Sequence, residues 1–156
     1  IKELVHLENE VFEVSPTSEL SLDEIYYQKE TVDIASCPVD TLKEIPLGKI
    51  FGTRSGDKGG CANLGIWAKT DDAFSFLNSF LTVKKLKELL PDLSTFKIDR
   101  YDLPNIKSLN FYIHGILQDG ISSNNRKDGQ AKSLGEYLRA KYIEVPKLLL
   151  REIKDG

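Results

Sequence analysis

Methionine is absent from this chain, and cysteine, histidine and tryptophan are nearly so: two, two and one among 156 residues. Cys37 and Cys61 are too few for a disulfide scaffold. Two histidines without a C-x-x-C pair do not compose a structural zinc site, and no metal or cofactor is expected. No long apolar run exists, so a membrane-spanning helix is excluded, and no basic–apolar signal segment opens the chain. An excess of basic charge is missing too: the formal net charge is −3, which disfavours nucleic acid as a partner. The expected compartment is the reducing cytoplasm. The first residue is Ile, and the lack of any Met predicts a chain processed or excised from something longer.

Apolar residues make up 40% and charged residues 29%, the balance of an ordinary globular protein. The length suits one domain with an appendage. Residues 1–30 hold eight acids against Lys2 and Lys29, and they lack glycine. We read residues 1–45 as an acidic extended arm or linker, with strand-like pieces at Val11–Val14 and Glu30–Ala35. Pro38 and Pro46 bracket a connecting stretch, and the compact domain is expected over 46–156.

Within that domain Leu47–Arg54 reads as a strand interrupted by Gly48 and Gly52. Arg54–Gly60 reads as a turn-rich loop at a hairpin tip. Asn63–Lys69 alternates, with Leu64, Ile66 and Ala68 on one face and Asn63, Gly65 and Trp67 on the other. Ala73, Phe74, Leu77, Phe80 and Leu81 recur at helical spacing; Val83, Leu86, Leu89 and Leu90 form a second stripe capped by Thr82 and stopped by Pro91. A third strand covers Phe96–Tyr101. The fourth, Ile106–Leu117, puts Leu109, Phe111 and Ile113 opposite Asn110, Tyr112 and His114. Ser133–Glu136 fits a capping box opening a helix with Leu134, Tyr137, Leu138 and Tyr142, and Pro146 starts a short last helix. The expected class is α+β, an antiparallel sheet with helices on one face. Adding a strand near Thr31–Ala35 makes it a permuted relative of the ferredoxin-like order.

Arg54-Ser55-Gly56-Asp57-Lys58-Gly59-Gly60 is the sharpest chemical feature. Its glycines permit close backbone approach, and successive amides can cradle an anion that Arg54 and Lys58 would neutralise. The rival reading is a solvated hairpin tip. The Walker spacing is absent. Cys61 reads as a small buried cysteine or, with His114 as base, a nucleophile. On the fourth strand His114 is a candidate acid or base and Asn110 a candidate oxyanion donor, with Asp57 as an alternative proton-transfer group. Asn63 belongs with the binding set Arg54, Ser55, Gly56, Lys58, Gly59 and Gly60. Asp102 is a turn former that could pair with Asp57. Arg126, Lys127 and Lys132 in the polar loop 119–132 are either solvated or an anion clamp.

Taken in order, Arg54–Gly60, Ala62–Gly65, Phe80–Thr82, Leu89–Pro91, Tyr101–Asn105, Leu109–Phe111, His114-Gly115 and Leu134–Arg139 resemble the C-terminal ferredoxin-fold domain of the acyclic terpene utilisation family, the AtuA-like domain. The resemblance runs from about residue 47 to 150. It implies a link to catabolism of acyclic terpenes through branched acyl-CoA thioesters, and a larger companion α/β domain. It brings no list of catalytic residues. It leaves three readings: an accessory domain binding a small carboxylate, phosphate or acyl-CoA anion; a hydratase or lyase on a branched acyl-CoA; and an oligomerisation module forming a homo-oligomer.

Overall fold

The computed structural model describes residues 3–7, 10–14, 41–122 and 124–152. Strand β1 (Glu3–Leu7) pairs antiparallel with β2 (Glu10–Val14), which contains the expected Val11–Val14 piece. The piece expected at Glu30–Ala35 lies outside the described residues. Strand β3 (Leu42–Pro46) occupies the stretch read as a connection.

Leu47–Lys49 is a single 3-10 turn rather than the start of a strand. Its cause is a spacing of four: Leu47 and Phe51 are both buried, and Phe51 N–H donates to the Leu47 carbonyl at 3.0 Å. Alternation begins only at β4 (Gly52–Lys58), which pairs along its whole length with β5 (Cys61–Trp67). The expected turn-rich loop at Arg54–Gly60 is therefore mostly strand. Only Gly59 and Gly60 turn the chain, and Gly59 takes a φ of +63°, which favours glycine.

Two helices follow, α1 (Asp71–Phe80) and α2 (Val83–Leu89). Thr70 and Thr82 cap them, their hydroxyls accepting from Ala73 N–H and Lys85 N–H at 3.3 and 3.1 Å. Phe76, unremarked in the sequence pattern, is the aromatic centre of this layer. It stacks on Phe51 and Phe80 with centroids 6.2 and 5.2 Å away. Strands β6 (Ile98–Leu103) and β7 (Ser108–Ile113) are joined by a 3-10 turn at Pro104–Ile106. Helix α3 (Leu134–Arg139) and strand β8 (Tyr142–Pro146) close the domain, and Lys147–Glu152 adds the expected last helical turns as 3-10 helix. Tyr142 thus starts a strand instead of extending the α3 stripe, and it is exposed.

The main sheet has the order β4-β5-β7-β6, antiparallel throughout. Moving the last strand of a β-α-β-β-α-β ferredoxin-like chain to its front gives β-β-α-β-β-α, the order from β4 to α3 with α1 and α2 as one crossing. The permutation is complete without a strand from 31–35. A second sheet joins β3 to β8, with Leu42 opposite Pro146.

Among the described residues the helices cover one face of this sheet. Ala62, Leu64 and Ile66 of β5 and Leu109, Phe111 and Ile113 of β7 are fully buried there, as alternation predicts. Arg100 of β6 ties this layer together. Its guanidinium donates to the carbonyls of Asn78 and Leu81 at 2.8 and 3.2 Å and to the Asn78 side chain. It thereby satisfies backbone carbonyls at the C-terminal end of α1.

Candidate functional site

The alternation of β4 decides which candidates can work together. Thr53 is buried on the helix side, and Ser55 and Asp57 share its face. Arg54, Gly56 and Lys58 point to the open face, as do Cys61, Asn63, Gly65 and Trp67 of β5 by register. Asn110 and Tyr112 of β7, with His114 just beyond, lie on that same open side. Asp57 and His114, the two alternative proton-transfer groups, thus lie on opposite faces of the sheet. Asp57 and Asp102 do not meet either, since β4 and β6 are the opposite edges of the sheet. Asp102 instead accepts from Arg100 Nε at 2.9 Å.

Ser55 is committed to structure. Its hydroxyl accepts from Gly135 N–H at 2.9 Å and donates to the Lys132 carbonyl at 3.1 Å, which caps α3 from across the sheet edge. Ser133, expected to cap that helix, donates its hydroxyl to Asp128 at 2.7 Å and makes no cap bond. The capping-box pattern is met by sequence but overruled by Asp128, which also accepts from the Ser133 and Lys132 amides at 3.0 and 2.9 Å.

Gly56 lies in the extended ladder of β4 with β5, and only Gly59 and Gly60 lie in a turn. Gly60 is fixed by packing: a Cβ there would lie 2.0 Å from the Gln118 carbonyl oxygen, and Leu117 N–H donates to the Gly60 carbonyl. Gly56 and Gly65 are different. A Cβ at Gly56 would meet nothing within 4 Å, and at Gly65 only the Arg54 carbonyl oxygen at 3.6 Å. These two glycines leave a bare, shallow floor on the open face. Exposed Arg54 stands beside Gly65 in register, with Asn110 on its other side. Asn63 Nδ2 donates to Asn110 Oδ1 at 3.4 Å across the floor.

One end of this face carries titratable groups. His114 Nε2 is 2.6 Å from Asp99 Oδ2, both about a third exposed. That bond is the main reason the Asp99 carboxyl lies below its ordinary value, with Lys97 assisting. The Tyr112 ring meets the His114 ring edge-on at 4.9 Å between centroids. Tyr112 also donates to Cys61 Sγ, and Gly115 N–H donates to the same sulfur at 3.4 Å. The two donors, Tyr112 foremost, lower the Cys61 thiol below its usual range, and Tyr112 is correspondingly raised. Cys61 is half-exposed, not buried. The opposite end is apolar, with Trp67, Tyr101 and Leu103 each at least 40% exposed.

Sequence reasoning placed His114, Asn110, Asn63, Arg54, Gly56 and Lys58 together, and the structure puts them on one face. It missed Asp99 as the partner of His114. The alternation of β6 exposes Asp99, but only the register Asp99↔Tyr112 brings it to the histidine. Among the described residues no group of three or more His, Cys, Asp or Glu side chains is arranged to hold a metal ion. Among the described residues no helix is long and apolar enough to cross a membrane.

The AtuA ferredoxin-like domain matches residues 45–144, well over half of the chain. The chain belongs to this family. The match spans β4 to α3, so every residue of the open face lies within the AtuA ferredoxin-like domain. No curated protein and no solved structure matches the chain.

Proposed function

We propose that this AtuA-type accessory domain binds a small anionic ligand, a carboxylate, phosphate or acyl-CoA, on the helix-free face of its sheet. The observation that carries this reading is the bare floor at Gly56 and Gly65, bordered by Arg54 and the Asn63–Asn110 amide pair. A guanidinium beside an open strip of backbone can fork onto an oxyanion while the amides orient it. Lys58 adds a second positive charge on the same face. The binding set therefore narrows to Arg54, Gly56, Lys58, Asn63 and Asn110. Ser55 serves helix α3, and Gly59 and Gly60 shape the turn.

A second reading is favoured by the His114–Asp99 pair. A histidine oriented by a carboxylate next to an anion-holding surface has the makings of an acid–base group, and Asn110 lies on the same face four residues back along the strand. In the lyase or hydratase reading His114 is the proton-transfer group and Asp99 its partner.

The test is calorimetric titration of the chain with CoA, branched acyl-CoA thioesters, terpenoid carboxylates and phosphate. Binding of one anion class that is lost in Arg54→Ala and in Gly65→Val, both still folded by circular dichroism, supports the reading. Binding that survives both variants overturns it. Turnover of a bound thioester that falls in His114→Ala and Asp99→Asn, with affinity kept, supports the second reading.

A further inference from the structure

On the helix-covered side of the sheet, away from the open face, lies a cavity of about 390 Å³. Its floor is Leu90 and Leu93, after α2, and Leu134 of α3, all buried. The half-exposed ring of Tyr137 forms a wall, and Lys141 Nζ sits 4.0 Å from that ring's centroid. Arg126 and Lys127 stand on the rim, contributed by the polar loop 119–132.

That loop is pinned on both sides of the two cations. Before them, Asn124 Nδ2 donates to the carbonyls of Gly120, Ile121 and Gly129 at 2.8, 3.4 and 3.3 Å, and its Oδ1 accepts from Arg126 N–H at 3.1 Å. After them, Asp128 is spent on the three donors described above. The Arg126 and Lys127 side chains have no partner among the described residues. The rim's remaining carboxylate, Asp92, is exposed on the α2 side. Among the described residues the rim thus carries two cations without a partner and one carboxylate above an apolar floor.

We infer that this cavity binds an aliphatic carboxylate, its head forked by Arg126 and Lys127 and its chain laid on Leu90, Leu93 and Leu134. The volume lies near the small end of ligand pockets, which suits a short acyl chain. Apolar contact supplies affinity, and the guanidinium selects the carboxylate over the alcohol. The site is separate from the open-face surface and stands or falls independently of it.

The probe is octanoate, added to the full chain carrying Arg54→Ala, which removes anion binding by the open face, and followed by thermal denaturation and by tyrosine fluorescence. At about a hundredfold excess over Kd the midpoint should rise by about 5–10 °C. Octanol and inorganic phosphate at the same concentration should give no comparable rise. In that background Arg126→Ala with Lys127→Ala should weaken octanoate binding at least about tenfold. Because both rim residues are exposed, the double variant should retain the parent's midpoint without ligand. The inference is overturned by a rise that survives the double variant, by an equal rise with octanol or phosphate, or by no rise with octanoate. A rise in the parent chain that is absent in the Arg54→Ala background would also overturn it, placing octanoate on the open face alone.

Discussion

The Ser55 hydroxyl sits on an edge strand, yet it caps a helix that starts almost eighty residues later. Ser55→Ala leaves Gly135 N–H without its acceptor, and the expected loss is about 1 kcal/mol in urea unfolding, with anion binding by the open face retained. Cys61 offers a second test at this scale. Its thiol is held low by Tyr112 and Gly115, so its alkylation by iodoacetamide should switch on at a lower pH than that of a free thiol. Tyr112→Phe should move that inflection up. The Asp99 carboxyl is likewise held below its unfolded value, chiefly by His114. Its contribution to stability is complete above the unfolded value of about 3.9 and is lost as pH falls through the folded one. Asp99→Asn should flatten the acid limb of urea midpoint against pH, and an unchanged limb would refute the linkage.

At the scale of elements, the legible parts were those whose signal is local. Alternation in β5 and β7 named both core faces, and Thr82 named its own cap. The 3-10 turn at Leu47 escaped because a spacing of four between Leu47 and Phe51 is too short to stand out from a strand. The Arg54–Lys58 strand escaped because glycine, serine, aspartate and lysine are poor strand formers. Its conformation comes from the ladder with β5, a tertiary cause overriding propensity. Helix α3 was found, but its cap was misassigned, since Ser133 had a better acceptor in Asp128. The hairpin tip yields a sharp prediction. Gly60→Ala drives a Cβ into the Gln118 carbonyl and should lower the thermal midpoint, whereas Gly56→Ala, opening into free space, should not.

For the whole molecule, the succession of strand pairs and helices from β4 to α3 was readable, and so was the sidedness of the sheet, while β3 and β8 were not. The site was readable only as a set of residue types. Which of them share a face depended on where β4 begins, and which pair depended on the register of β6, neither of which leaves a mark in sequence. The core itself rests on side chains such as Phe111, fully buried at the centre of the sheet. Phe111→Ala should cost about 3–5 kcal/mol, enough to unfold a domain of ordinary stability or bring it to the edge.

Leu42 lies opposite Pro146, and the β3–β8 ladder runs antiparallel from there to Pro46 opposite Tyr142. The chain therefore comes into the domain and leaves it at one spot, like a fruit on a short stem. Tension applied through the flanking chain would pull that stem apart one rung at a time, once the Lys147–Glu152 turns had peeled away. The bonds of the ladder would break in series, not together, so the stem should give way at low force while the four-stranded sheet behind it still holds.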